Sequence, residues 1–140
     1  MTPAAFAELA TWRYEPPYDF YDPADDPPVE LDRWHIVEGD DGRADAFWYF
    51  ADPEPGVVEV GIGLRPDLCG RGLGERFLDA QLAYARERWR PHTFRLYVTA
   101  WNTRAIRLYE RLGFREVGER HTRSFEKFGD HEFVRMERSS

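Results

Sequence analysis

A strand pattern that leads through a glycine-rich turn into a long helical pattern, between Val57 and Trp89, most constrains the fold of this chain. The stretch VVEVGIGL alternates apolar side chains with a glutamate and two glycines, which predicts a strand over 57–64. The turn then places glycine at 70, 72 and 74, just before apolar residues recur at helical spacing over about 72–89. Glycine is a poor helix former, so its repetition indicates either positive φ or the close approach of another group to the backbone.

A few further elements surround this unit. Thr2 is positioned to cap a short helix that has Pro3 in its first turn. Strands are predicted over 33–38 and 44–51 as a hairpin, and over 94–100; a helix follows over 102–113, and a loop over 124–130 joins two last strands. One strand–helix–strand crossover among antiparallel neighbours predicts a mixed α+β fold with helices flanking a mostly antiparallel sheet. A length of 140 residues suits a single domain, 1–140.

The formal charge of −7 is unevenly distributed along the chain. Residues 1–54 contain 14 acidic and 3 basic side chains, whereas residues 55–140 contain 12 acidic and 16 basic ones. The acidic half argues against nucleic-acid binding and is compatible with either a cationic substrate or a solubilising surface. No apolar run is long enough for a membrane span, and the N-terminus has no secretory pattern. The single cysteine, Cys69, favours a reducing, cytoplasmic location.

The glycine turn has several interpretations. A nucleotide-binding P-loop needs a Gly-Lys-Ser/Thr ending, which is absent, and a dinucleotide-binding turn needs a different spacing of its third glycine. Two interpretations remain open on spacing alone: a cradle of backbone N–H groups for a pyrophosphate, or a tight turn without a ligand. The scattered histidines and the single cysteine lack ligand spacing, so no metal site is predicted.

A second motif about thirty residues further on, AWNTRAIRLYERLGF, carries a resemblance to a known family. Together with CGRGLG it resembles motifs A and B of the GNAT N-acetyltransferases. The matching residues are Cys69 to Gly74, Asn102, Ala105, Tyr109 with Glu110, and Gly113 with Phe114. The resemblance is close over about 57–117, and its nearest branch is RimJ/RimL-like, whose members acetylate protein N-termini or small amines.

The resemblance implies a sheet that is splayed beside the predicted strand 57–64, with the pantetheine arm of acetyl-CoA paired to that strand. Gly61 and Gly63 would then let the ligand come close. The implied residues that bind acetyl-CoA are Ile62, Leu64, Cys69, Gly70, Arg71, Gly72, Leu73, Gly74, Asn102, Ala105 and Tyr109. The chain departs from the family in two ways: Cys69 replaces the usual Gln/Arg, and the usual first strand is missing from the expected order of elements.

The implied reaction is direct attack of an amine on the acetyl-CoA thioester, without a metal. Tyr109 matches the family's general acid at the CoA sulfur, although a core aromatic is the alternative. Glu59 is the candidate general base, directly or through water, and a cross-strand ion pair is its alternative. The expected partners are acetyl-CoA and a primary amine, in a monomer or homodimer. The alternatives are another acyl donor such as succinyl-CoA, and a non-catalytic domain that binds CoA as a sensor or scaffold.

An acidic, aromatic-rich segment, Pro16 to Pro28, follows the first predicted helix. In the family this region borders the acceptor entrance. The segment is interpreted as either an acidic rim that attracts a cationic acceptor or a solubilising loop. The acidic residues of this rim are Asp19, Asp22, Asp25 and Asp26.

Overall fold

The computed structural model describes residues 1–23 and 31–140, so Asp25 and Asp26 of the predicted rim lie outside the described residues. Within these residues the helices are α1 (Pro3–Leu9), α2 (Gly74–Trp89) and α3 (Thr103–Arg111). The strands are β1 (Trp34–Glu38), β2 (Ala44–Glu54), β3 (Val57–Leu64), β4 (Thr93–Thr99), β5 (Arg115–Glu116), β6 (His121–Phe125) and β7 (Gly129–Ser139).

The strands are hydrogen-bonded in the order β1-β2-β3-β4-β7-β5, and β6 also pairs with β7. This sheet is mostly antiparallel, and the strand–helix–strand step from β3 to β4 is parallel. The predicted mixed α+β class is therefore confirmed, and α1 precedes the first strand of the described chain, as expected.

The chain divides into two compact units, each described here by itself. The first unit contains Met1–Phe50 and Ile62–Gly74. The second unit contains Ala51–Gly61 and Glu75–Ser140.

In the first unit, α1 begins as predicted. The Thr2 hydroxyl accepts a hydrogen bond from the Ala5 N–H at 3.1 Å, and Pro3 occupies the first turn, where its missing N–H costs nothing. Leu9 and Trp12 are buried, and the Trp12 ring stacks on Phe47 of β2 at 6.1 Å. β1 and β2 form the predicted antiparallel hairpin.

In the second unit, β4 is the centre of the sheet. It pairs in parallel with β3 over Val57–Glu59 and antiparallel with β7 over all seven of its residues. The register places alternate residues on two faces, and one face is a buried apolar layer. Arg86 of α2 lies over the Phe94 ring at 5.5 Å, so α2 covers this apolar face. The buried apolar residues that β4, β7 and α2 contribute to this face are Phe94, Leu96, Val98, Val134, Met136, Leu78, Leu82 and Ala85.

The structure differs from the predicted elements in several places. α2 begins at Gly74, because Gly72 has a φ of +72° that a right-handed helix does not allow. The predicted loop over 124–130 is partly strand: β6 pairs with β7 as far as Phe125, although its sequence HTRSF shows no apolar alternation. Two apolar residues of the predicted helix, Ala80 and Trp89, are exposed, while the polar Gln81 is buried.

Candidate active site

The glycine turn follows β3 through a short 3₁₀ turn, Pro66–Leu68. Gly70 and Gly72 have φ values of +75° and +72°, a region that residues with a Cβ rarely adopt. A Cβ placed on either glycine would meet no heavy atom within 4 Å. Backbone conformation rather than crowding therefore requires these two glycines, and the space beside them is open.

The backbone donors of this turn are exposed. Across the described chain, the N–H groups of Gly70, Arg71 and Gly72 donate no hydrogen bond to another protein group. The turn leads directly into α2, whose first N–H groups have no partner within the helix and carry its partial positive charge. Such a set of exposed N–H donors is suited to binding an anion such as a phosphate.

Several contacts within the first unit hold the approach to this turn. The Tyr14 hydroxyl donates to the Leu64 carbonyl at 2.6 Å, and burial, followed by the neighbouring Cys69 and Asp22, raises the pKa of Tyr14. The Arg65 N–H donates to the Asp45 carbonyl at 2.8 Å, and the side chains of these two residues form an ion pair at 3.2 Å. No sequence pattern indicates the role of Tyr14, because its partner lies fifty residues further along the chain.

Cys69 stands where the family has Gln or Arg. Its N–H donates to the Pro66 carbonyl at 3.2 Å, and its Sγ lies 3.8 Å from the Arg65 carbonyl oxygen. The half-buried thiol therefore faces the preceding turn of its own chain. This geometry gives Cys69 a part in shaping the turn.

The two glycines of β3 have different neighbours. A Cβ on Gly63 would overlap the ring of Phe47 on β2, so the group that approaches this backbone closely is a side chain of the protein. The expectation that Gly63 lies open to a ligand is therefore wrong. The Gly61 carbonyl accepts a hydrogen bond from Gln81 Nε2 of α2 at 3.0 Å. This contact also explains why an amide is buried on the inner side of that helix.

Glu59 is half-buried on β3, opposite Arg95 in the parallel register. Arg95 is itself buried, and its guanidinium bonds Glu54 at 3.0 Å and Glu137 at 2.5 Å. Strand alternation places Glu59 and Arg95 on the same face of the sheet as Tyr97, whose side chain is exposed. The candidate base therefore lies on the sheet face opposite to α2, beside a network of charged side chains.

Asn102, Ala105 and Tyr109 lie together on the second unit. Asn102 is buried and caps α3: its Oδ1 accepts from the Ala105 N–H at 3.1 Å. The half-buried Tyr109 ring contacts Phe114 edge to face at 6.2 Å between centroids. An ion pair of 3.7 Å between Glu75 and Arg111 places the last turn of α3 beside the first turn of α2. No residue of α3 is fully buried, so its apolar stripe is partly accessible.

The predicted acidic rim is only partly supported. Asp22 is buried, and its Oδ1 accepts a hydrogen bond from the Tyr14 N–H at 2.8 Å, so it stabilises the local chain rather than a rim. Asp19 is half-buried in the 3₁₀ turn Tyr18–Tyr21. Of the four aspartates, Asp19 is therefore the one described residue still available to an acceptor.

Two observations on the described residues concern metal binding and membrane spanning. Over 1–23 and 31–140, no group of three or more His, Cys, Asp or Glu side chains is arranged to hold a metal ion. None of the helices found in those ranges has the length and apolar character needed to cross a membrane.

The mixed sheet and the turn of exposed N–H groups at a helix start define an α+β protein with a candidate phosphate-binding turn. Residues 5–114 match the acetyltransferase (GNAT) family, and the chain therefore belongs to that family.

Curated relatives include two bacterial proteins named mycothiol acetyltransferase. The protein of Salinispora arenicola is 41% identical over 71 residues, which cover 48% of this chain and 23% of the relative. The protein of Rhodococcus erythropolis is 42% identical over 80 residues, which cover 57% of this chain and 22% of the relative. The matched part thus spans less than a quarter of either relative.

Solved structures share the fold. The spermidine N-acetyltransferase from Vibrio cholerae, in complex with CoA and spermine, superposes with a TM-score of 0.67 at 23% identity, over 76% of this chain and 64% of that one. The ribosomal-protein-alanine N-acetyltransferase from Brucella melitensis gives 0.65 at 22% identity, over 76% and 68%. At these identities the likeness concerns the fold alone.

Proposed function

We propose that this protein is an acetyl-CoA-dependent N-acetyltransferase that acts on a primary amine. The observation that carries this proposal is the turn at Gly70 and Gly72. It combines positive φ, N–H groups that donate to no other protein group among the described residues, and open space just before α2. The family to which the chain belongs uses acetyl-CoA, whose phosphate groups suit such an anion site.

The backbone of Cys69 to Gly74 binds the pyrophosphate of acetyl-CoA in this proposal. The N–H groups of this turn are the proposed donors, and the exposed Arg71 adds a positive charge beside them. Ile62 and Leu64 contribute backbone groups to the pantetheine arm.

Three residues at α3 are further proposed contacts of acetyl-CoA. Asn102 and Ala105, at the start of α3, lie beside the pantetheine. Tyr109 lies one helical turn further along on the same accessible stripe, as residues four apart on a helix do. This spacing lets one helix both bind the cofactor and supply a hydroxyl to the reacting sulfur.

In the proposed reaction, a neutral amine attacks the thioester carbonyl, the C–S bond breaks, and the acetyl group ends on nitrogen. Glu59 accepts the proton that the amine loses, directly or through one water molecule. Tyr109 donates a proton to the departing thiolate and regains one from solvent. Proton transfers of this type each contribute about 10²–10⁴-fold to the rate.

The acceptor is proposed as a primary amine of a small molecule or of a protein N-terminus, in a RimJ/RimL-like manner. The relatives named for mycothiol and for spermidine act on different acceptors, so neither name alone selects one for this chain. We further propose that residues 1–140 form one catalytic domain, active as a monomer or homodimer in the cytoplasm, without nucleic-acid or membrane partners.

The test is to incubate the purified protein with acetyl-CoA and a panel of amines, and to follow free CoA thiol. The panel contains a polyamine, an amino sugar and a peptide with a free N-terminus, and succinyl-CoA replaces acetyl-CoA in a parallel series. Thiol release that depends on one amine supports the proposal and identifies the acceptor class. Binding of acetyl-CoA without thiol release for any amine favours a sensor or scaffold instead.

A further inference from the structure

A hydrogen-bonded histidine contacts residues 100–102, the corner that joins β4 to α3. His131 of β7 accepts a hydrogen bond at Nδ1 from the Trp101 indole N–H, at 3.0 Å. Its Nε2 lies 3.1 Å from the Phe128 carbonyl oxygen. An indole N–H can only donate and a carbonyl can only accept. The two bonds together therefore require a neutral imidazole whose proton is on Nε2.

The Trp101–His131 bond joins the β6–β7 hairpin to the start of α3. Trp101 immediately precedes the cap residue Asn102, and its carbonyl accepts from the Thr103 N–H at 2.9 Å. The neighbouring Ala100 N–H donates to the Glu132 carbonyl at 2.9 Å. Both the backbone and the histidine side chain thus attach the corner to β7.

Two basic side chains belong to the hairpin that contains His131. Arg123 of β6 is its register partner and lies over the Phe125 ring at 5.1 Å, so a positive charge shares the face of the histidine. Lys127 lies over the Phe128 ring at 5.2 Å.

The acidic neighbours of His131 are both engaged elsewhere. Asp130 accepts a hydrogen bond from Ser124 at 2.5 Å, and Glu132 pairs with Arg120 at 3.0 Å. Strand alternation points these two residues to the other face of β7. Neither carboxylate is therefore placed to favour a charged imidazole.

We propose that His131 is a positioning residue of the acetyltransferase site: it holds Trp101, and through it Asn102 and the start of α3, in the arrangement that binds acetyl-CoA. Protonation at Nδ1 turns the acceptor into a donor that faces the indole N–H. The Trp101 bond is then lost, while the Phe128 bond remains, so the corner loses its attachment through the histidine side chain. The cofactor contacts of α3 would loosen as the pH falls. This inference rests on the proposed function.

The first arm of the test uses the full chain without acetyl-CoA. Nuclear magnetic resonance follows the Trp101 indole N–H signal, which is assigned by its absence from Trp101→Phe, from about pH 8 to about pH 5. We expect the signal to move and lose protection from exchange in the wild type. His131→Gln keeps both bonds, because an amide oxygen accepts and its nitrogen donates, so its signal stays in place over that range. His121→Gln, on the same hairpin, retains the wild-type response.

The second arm measures acetyl-CoA affinity by isothermal titration at both ends of the pH range. Loss of one hydrogen bond of this type corresponds to roughly two- to tenfold weaker binding. We expect the wild type and His121→Gln to lose affinity at the acidic end of the range. His131→Leu should bind more weakly at both ends, and His131→Gln should keep its affinity at both ends.

The outcomes separate the two claims. Equal affinity of His131→Leu and wild type at pH 8, or an unchanged acid response in His131→Gln, overturns the positioning role while leaving the acetyltransferase proposal intact. If the wild type binds no acetyl-CoA at any pH, both claims fall, even where the indole signal follows His131.

Discussion

Substitutions at Gly72 test whether the turn needs glycine for its positive φ or for the close approach of a bound phosphate. Its φ of +72° penalises any residue with a Cβ, but a Cβ at this position would meet no atom within 4 Å. The cost of Gly72→Ala is therefore backbone strain alone, about 1–2 kcal/mol of folding stability. Asn and Asp visit this region more readily and should cost less than Ala.

Gly72→Asn and Gly72→Asp form a matched pair, since the two side chains have nearly the same shape and differ in charge. If the pyrophosphate binds at this turn, the Asp carboxylate stands on the order of 5 Å from two negative charges. With an effective dielectric constant of about 40–80, the repulsion is about 1.5–3 kcal/mol. Acetyl-CoA should therefore bind roughly 10- to 150-fold more weakly to Gly72→Asp than to Gly72→Asn.

Isothermal titration with acetyl-CoA measures this difference, and circular dichroism shows whether both variants are folded. Raising the salt concentration should reduce the gap between them, because the turn is exposed and its charges are screened. Equal affinities for two folded variants would show that no phosphate binds beside Gly72. The N–H groups of this turn would then not be the pyrophosphate site.

Two other substitutions follow from the structure. Tyr109→Phe keeps the ring contact with Phe114, so we expect thermal stability to be unchanged, while kcat falls about 10²–10⁴-fold and acetyl-CoA affinity stays the same; a normal kcat would show that the thiolate leaves without this hydroxyl. Tyr14→Phe removes the bond to the Leu64 carbonyl and should lower the free energy of unfolding by about 1 kcal/mol near neutral pH. Because the pKa of Tyr14 is raised in the folded protein, its contribution is fully present below the ordinary tyrosine pKa of about 10 and is lost as the pH rises above that value. Denaturant titrations should therefore show a steeper alkaline loss of stability in the wild type than in Tyr14→Phe, and identical alkaline slopes would contradict this.

Local patterns predicted much of the fold. The alternation of VVEVGIGL predicts a strand whose bounds match β3, and Thr2 caps α1 as expected. These features depend on neighbours within a few residues, so the sequence displays them directly. The spacing of the two glycine-containing motifs also led to the correct family.

Long-range pairings account for what the sequence could not predict. β6 is held by backbone pairing with β7, so its polar side chains carry no strand signal. Tyr14 reaches Leu64 across fifty residues, and His131 reaches Trp101 across thirty. Each contact depends on the register of strands that meet only in the folded chain. Similarly, the sequence pattern predicts an exposed Asp22, but this residue is buried and accepts a hydrogen bond from the Tyr14 N–H.

The most direct test of the central claim is to measure both products of one reaction. The protein is incubated with acetyl-CoA and the amine selected from the panel, free CoA is quantified by its thiol, and the amine is analysed by mass spectrometry. The account predicts one CoA released for each amine that gains one acetyl group on nitrogen, with a rate that falls in Tyr109→Phe. Thiol release without acetylated amine, or acetylation at an unchanged rate in folded Gly72→Asp at limiting acetyl-CoA, would contradict it.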